Sequence, residues 1–102
     1  MINILLVCSE GMSTSLLAKK MIEAAAEKSI EVNIWAVNAT AAGDNVDKAD
    51  VIILGPQVRY MLAKVSDLVT DKNKPVYTAD MRSYGTVNGK ALLEEALRKL
   101  GM

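Results

Sequence analysis

Two short runs of branched aliphatic residues, Ile2 to Val7 and Val51 to Leu54, lack the polar alternation expected of a strand with one wet face. Strands of that kind are buried on both sides, which in globular proteins means a parallel sheet with helices packed over each face. Parallel neighbours need crossover connections, so helices must lie between the strands. The intervening sequence supplies them. Leu16, Leu17, Met21, Ala24 and Ala25 recur at helical spacing up to about Lys28, behind a polar loop running from Cys8 to Ser15. Val58, Met61, Leu62, Val65, Leu68 and Val69 form a second stripe opposite Arg59, Lys64, Asp67 and Asp71, which predicts one continuous helix beginning near Pro56. A third helix has Asn88 as its cap, Leu92, Leu93, Ala96, Leu97 and Leu100 as its apolar positions and Gly101 just beyond its end.

Two further strands complete the pattern. Glu31 to Val37 alternates, with Val32 and Ile34 on one face and Trp35 and Val37 nearer the other. Val76 to Thr78 is short and follows Pro75, which suits a sheet edge. Asn38 to Asp47 reads as a turn-rich connection with one short helical turn. The fold class is therefore α/β, a three-layer sandwich around a four-stranded parallel sheet of order 2-1-3-4, in one domain spanning residues 1–102. In that order the switch point lies between strands 1 and 3, and ligands of such sheets bind beyond the strand carboxyl ends at the switch. The loops meeting there are Cys8 to Ser15 and Gly55 to Tyr60, with Asp80 to Gly85 as a more distant rim.

Composition narrows the chemistry. The chain has one cysteine and no histidine among 102 residues, which removes Ser-His and Cys-His catalytic pairs, an internal disulfide and a cysteine-rich zinc site. Twelve basic and twelve acidic residues cancel, so no long-range field draws the chain to nucleic acid. No apolar run approaches the ~20 residues of a membrane helix, and the N-terminus lacks the positive region of a secretory signal. These features predict a cytoplasmic protein without direct membrane insertion.

The sole cysteine stands where strand 1 ends, directly before a helix. Unpaired amides and the positive end of a helix dipole there would favour a thiolate, and equally a phosphoryl group attached to sulfur. Gly11 lets loop amides converge, and Ser9, Ser13, Thr14 and Ser15 add hydroxyl donors, with Ser13 also a candidate helix cap. The bland alternative makes Cys8 a small buried hydrophobe. In a cysteine-based tyrosine phosphatase, an arginine follows the nucleophile after five intervening residues, and Thr14 occupies that position here. Without the guanidinium, hydrolysis lacks its bidentate clamp, which favours a loop that accepts phosphate and hands it on. The spacing of a nucleotide P-loop is absent as well, and aromatic residues to stack on FMN are scarce.

Two stretches carry a resemblance: Leu6-Val7-Cys8-Ser9-Glu10-Gly11-Met12-Ser13-Thr14-Ser15-Leu16-Leu17, and Ala49-Asp50-Val51-Ile52-Ile53-Leu54-Gly55-Pro56-Gln57-Val58-Arg59-Tyr60-Met61-Leu62. With Tyr84-Gly85 before the final helix, they resemble the enzyme IIB component of the phosphoenolpyruvate-dependent sugar phosphotransferase system, lactose/cellobiose/chitobiose class. The resemblance implies a fold like that of low-molecular-weight phosphotyrosine phosphatases, with neither a metal nor a cofactor bound. It implies that Cys8 takes a phosphoryl group from a phosphohistidine of the IIA component, within a phosphate-binding loop of Ser9, Glu10, Gly11, Met12, Ser13, Thr14 and Ser15. The group then passes to a sugar bound by the membrane permease IIC, a β-linked disaccharide such as cellobiose, chitobiose or lactose. Glu10 departs from the small residue typical of the family at that position, and an outward, solvated carboxylate reconciles it with an anion site. Gln57, Arg59 and Tyr60 are the candidate partner contacts by position, Met12 is a candidate for docking or packing, and Val58 and Met61 are expected in the core. The competing readings are a phosphatase or arsenate-reductase-like enzyme, and an interaction module with an inert cysteine.

Overall fold

The computed structural model describes residues 1–8, 11–69 and 73–102, and of residues 11–15 it describes the backbone alone. Strands β1 (Ile2–Cys8), β2 (Val32–Asn38), β3 (Val51–Leu54) and β4 (Val76–Thr78) form one sheet of order β2-β1-β3-β4. All three pairings are parallel, with Leu5 opposite Trp35 on one side and Ile52 on the other, and Ile53 opposite Tyr77. The expected order and direction are both present.

Alternation along β1 divides the core. Ile4 and Leu6 point to the face covered by helices α1 (Gly11–Glu27) and α4 (Gly89–Lys99), where they meet Leu17, Met21, Ala25, Leu92, Leu93 and Ala96. Leu5 and Val7 point the other way, into a cluster with Ile52, Leu54, Val58, Val65 and Val69 beneath helix α2 (Leu62–Leu68). Complete burial of a Leu or Ile stabilises the fold by about 1.5–3 kcal/mol, so the central strands hold the three layers together. The division of β2 also follows expectation, Val32 and Ile34 packing with the first cluster and Trp35 and Val37 with the second.

Polar contacts set the edges of these elements. The Asp50 carboxylate accepts from the backbone N–H of Asn3 at 2.8 Å, which pins the entry of β3 beside β1. Trp35 Nε1 donates to Asn45 Oδ1 at 3.0 Å, and Asn45 Nδ2 donates to the Ala41 carbonyl at 2.8 Å, tying β2 to the connection that follows it. That connection forms two 3₁₀ segments, Ala39–Asp44 and Val46–Lys48, where one short turn was expected.

Two expectations are corrected. First, helix α1 begins at Gly11, so five residues expected in a loop, Gly11 to Ser15, are helical, and Ser13 lies inside the helix rather than at its cap. Small polar residues are tolerated in a first turn because its amides have no intrahelical acceptors for their side chains to disrupt. Leu16, at one flank of the α1 stripe, is 47% exposed.

Second, the continuous helix expected from Pro56 is broken. Pro56–Met61 is 3₁₀, with Val58 at φ −116°, ψ 22°, and only Leu62–Leu68 is α-helical. The kink at Val58, with the tighter 3₁₀ turns on either side, rotates the stripe away from the path of one continuous α-helix. Val58, Val65 and Val69 remain buried, while Leu62 and Leu68 emerge at 37% and 45% exposure. The rim from Asp80 adds a helix for which no sequence expectation was made, α3 (Met81–Gly85), capped by the Asp80 carboxylate, which accepts from Ser83 N at 2.9 Å and Ser83 Oγ at 3.0 Å. The last helix forms as expected, with Asn88 Oδ1 accepting from Ala91 N at 3.1 Å and Gly101 at φ 81° beyond its end.

Candidate functional site

Cys8 is the last residue of β1 and is 1% exposed. It pairs with Asn38 on β2, and the register that sets Val7 opposite Leu54 carries on to place Gly55 opposite Cys8. The site therefore lies at the carboxyl edge of the sheet, at the switch between β1 and β3. Even-numbered β1 residues face α1, and Cys8 continues that series. Its thiol donates weakly to the Val37 carbonyl, with 3.8 Å between sulfur and oxygen.

Ser9 and Glu10 lie outside the described residues, and the side chains of Met12, Ser13, Thr14 and Ser15 do as well. The backbone from Gly11 onward is the first turn of α1. The first amides of any α-helix lack intrahelical acceptors and carry the positive end of its dipole, so this end of α1 brings donors to the edge where Cys8 stands. At about 1.5–3 kcal/mol for a hydrogen bond to a charged group, a few such donors can hold an anion without a basic side chain.

The second loop forms the opposite wall. Gly55 N donates to the Val7 carbonyl at 2.8 Å, locking the exit of β3 to the residue before Cys8, and Pro56 then starts the 3₁₀ segment. Gln57, Arg59 and Tyr60 are exposed, Tyr60 at 76%, while Val58 is fully buried and Met61 packs against the core. Tyr60 borders two depressions. One, of about 580 Å³, is lined by Gln57, Arg59, Met81 and Tyr84; the other, of about 490 Å³, by Thr40, Met61, Lys64 and Leu68. All three positions expected to meet partners line the first depression, whose walls mix polar and apolar groups around Arg59, and Tyr60 also borders the second, largely apolar one beside Lys64.

One neighbour of the site was read from sequence only as part of the resemblance. Tyr84, on α3, brings its phenol tip over Gly55. A β-carbon built on Gly55 would stand 3.1 Å from Tyr84 Oη, 3.2 Å from Tyr84 Cζ and 3.0 Å from Gln57 Oε1. The close approach leaves little room for a side chain at Gly55, the residue just past the end of β3. No local pattern announces it, because the two residues are 29 positions apart and meet only through the β3-to-β4 crossover.

Among the described residues, no group of three or more His, Cys, Asp or Glu side chains could hold a metal ion. No described helix is long and apolar enough to cross a membrane.

Fold and site together define a small parallel α/β protein with one buried cysteine at its switch point, between a helix N-terminus and the glycine that follows the neighbouring strand. The family model for the PTS system, Lactose/Cellobiose specific IIB subunit, matches residues 3–95, and the chain belongs to that family. It is 41% identical over 95 residues to the oligo-beta-mannoside-specific EIIB component of Bacillus subtilis (strain 168), covering 93% of this chain and 92% of the relative. It is 37% identical over 98 residues to the cellobiose-specific EIIB component of Lactococcus lactis subsp. lactis (strain IL1403), covering 91% of each. Its structure is similar to that of the cellobiose-specific IIB component from Borrelia burgdorferi, with TM-score 0.77 at 36% identity over 96% of this chain and 90% of that one. The fold also matches the lactose-specific IIB domain from Streptococcus pneumoniae, with TM-score 0.86 at 20% identity over 96% of both chains. The chain is accordingly a sugar-specific IIB component, a sugar phosphotransferase, with the phosphatase-like fold expected from its sequence.

Proposed function

We propose that this IIB component carries phosphate on Cys8, between a phosphohistidine of a cytoplasmic IIA component and a sugar held by the membrane permease IIC. The observation that supports this reading is the position of the sole cysteine, at the end of β1 beside the first turn of α1, in a member of this family. In the first step the Cys8 sulfur attacks phosphorus, an S–P bond forms and the P–N bond breaks. The electron pair stays on the donor imidazole, and the thiol proton ends there. In the second step a sugar hydroxyl attacks phosphorus, an O–P bond forms and the S–P bond breaks. The electron pair returns to sulfur, and a proton equivalent to the one lost by the hydroxyl restores the thiol.

The protein has little covalent chemistry to perform beyond holding the phosphoryl group in line, so positioning and charge stabilisation supply most of the acceleration. Backbone amides of the segment 9–15 are the proposed donors, and Gln57, Arg59 and Tyr60 the proposed contacts with IIA and IIC. The sugar is proposed to be a β-linked disaccharide such as cellobiose, chitobiose or lactose, and residues 1–102 to act as a single IIB domain in the cytoplasm. Thr14, where a phosphatase carries arginine, is consistent with transfer in place of hydrolysis.

Incubation with phosphorylated IIA tests the reading. Intact-mass measurement is expected to show one added phosphoryl group, and phosphorus NMR an S-phosphocysteine that disappears when IIC and sugar are supplied. Cys8→Ser transferring phosphate to sugar at the wild-type rate would refute it.

A further inference from the structure

We propose that the Tyr84 hydroxyl donates a hydrogen bond to a non-bridging oxygen of the phosphoryl group on Cys8, making Tyr84 a catalytic residue of the IIB component. The proposal rests on the phosphocarrier reading above and adds to it a donor from outside the segment 9–15.

Three observations place the hydroxyl there. The β1/β3 register puts Gly55 opposite Cys8, and parallel neighbours lie about 4.8 Å apart. Parity puts the two positions on one face: Ile4 and Leu6 on β1, and Val51 and Ile53 on β3, all point into the α1/α4 cluster, and the series continue to Cys8 and Gly55. Tyr84 packs against that same cluster, with Oη 3.1 Å from the β-carbon position of Gly55. The hydroxyl thus stands one strand over from Cys8 on the same face of the sheet, while the unmodified thiol turns the other way, to the Val37 carbonyl on β2. From a strand spacing of about 4.8 Å plus that contact, Oη lies within about 8 Å of the Cys8 β-carbon. A phosphocysteine whose sulfur turns from β2 toward β3 spans about 4.5 Å of this gap through its C–S, S–P and P–O bonds, which leaves at most about 3.5 Å for the hydrogen bond.

The scaffold fixes the phenol. Asp80 caps α3 through Ser83 N and Oγ, Tyr84 N donates to the Asp80 carbonyl at 2.9 Å, and Val87 N returns to the Tyr84 carbonyl at 3.1 Å. Glycine at 55 leaves room for the phenol tip, and the Gln57 carboxamide converges on the same point. A neutral donor held at the rim can follow the charge on the phosphoryl oxygens through both transfers without acting as a strong counter-ion that traps the intermediate.

The test compares wild type, Tyr84→Phe, Gly55→Ala and the double variant, all as full chains with phosphorylated IIA as donor. Tyr84→Phe keeps the ring and is expected to melt within a few degrees of wild type. Its kcat for phosphoryl acceptance is expected to fall about 10- to 100-fold with KM for IIA unchanged, as for loss of one charge-stabilising donor. Its phosphocysteine resonance in phosphorus NMR is expected to move. Gly55→Ala pushes the phenol tip aside and is expected to slow wild type but to add little on the Tyr84→Phe background, the signature of coupled residues. A wild type that carries phosphate, with Tyr84→Phe matching it in kcat and phosphorus shift, overturns the proposal. A wild type that forms no phosphocysteine overturns the phosphocarrier reading itself.

Discussion

Replacing Gly89 by alanine probes the packing that seats α1 on the sheet. Gly89 is the buried first residue of α4, and its Cα faces the backbone of α1 at Lys20. A β-carbon there would lie 2.5 Å from the Lys20 carbonyl carbon and 2.7 Å from its oxygen and Cβ. Non-bonded carbon atoms settle at about 3.5–4.0 Å, so the helices must separate by about 1 Å. The obstacle is main chain in the middle of a 17-residue helix, which cannot swing away as a side-chain end would. Over-packing of this kind costs about 1–3 kcal/mol. Alanine returns at most about 1 kcal/mol in helix propensity, and less in the first turn.

The expected net loss is about 2 kcal/mol, which lowers the melting temperature of a domain this size by about 8–16 °C. Urea unfolding followed by circular dichroism measures it, with the midpoint falling and the m-value unchanged. If Gly89→Ala proves as stable as wild type or more so, the close α1/α4 approach is refuted, and with it the account of how α1 is seated beside Cys8.

Other perturbations test separate contacts. Asn45→Ala leaves the Trp35 indole N–H without its acceptor and is expected to cost about 1–3 kcal/mol in urea unfolding, with blunted near-ultraviolet dichroism from Trp35. Tyr77→Phe is expected to hold or raise stability at pH 7, because the buried hydroxyl has no hydrogen-bond partner among the described residues. Burial first, and then the Glu95 carboxylate, push the Tyr77 hydroxyl well above its ordinary value of 10.0. With the folded value raised, its stabilisation is complete below pH 10 and is lost as pH rises beyond, so the Phe variant should lose less stability in alkali. Asp80 runs the opposite way: hydrogen bonds from Ser83 hold its carboxyl below the ordinary 3.8, so its contribution is present above that pH and disappears as pH falls through the folded value. Asp80→Ala should flatten this acid limb in a pH series of melting temperatures, and an unchanged limb would discount the cap.

Strand order and core division were readable because they rest on local pattern. Unbroken apolar runs at Ile2 to Val7 and Val51 to Leu54 require cover on both faces, and connections long enough for crossovers then leave little choice but a parallel sheet. Asn88 and Gly101 marked α4 at each end for equally local reasons, a capping side chain and a residue that takes positive φ without strain. The helix from Pro56 was misread because periodicity counts apolar positions without sensing pitch. Val58, Val65 and Val69 satisfy the core in the 3₁₀-then-α path, while Leu62 and Leu68 turn outward. Helix α3 was missed since five residues offer too little periodicity, and its stability rests on the Asp80 cap and the following turn.

The candidate site divides along the same line. Sequence alone determined that one cysteine ends the first strand ahead of a helix, because strand, glycine and helix signals are all set by neighbours in the chain. It also determined that Gln57, Arg59 and Tyr60 follow the facing strand. Only the tertiary structure decided that Gly55 stands opposite Cys8 and that Tyr84, 29 residues further on, closes over it. Such a meeting depends on register across the sheet and on where a crossover returns, and neither quantity is encoded in any short window of residues.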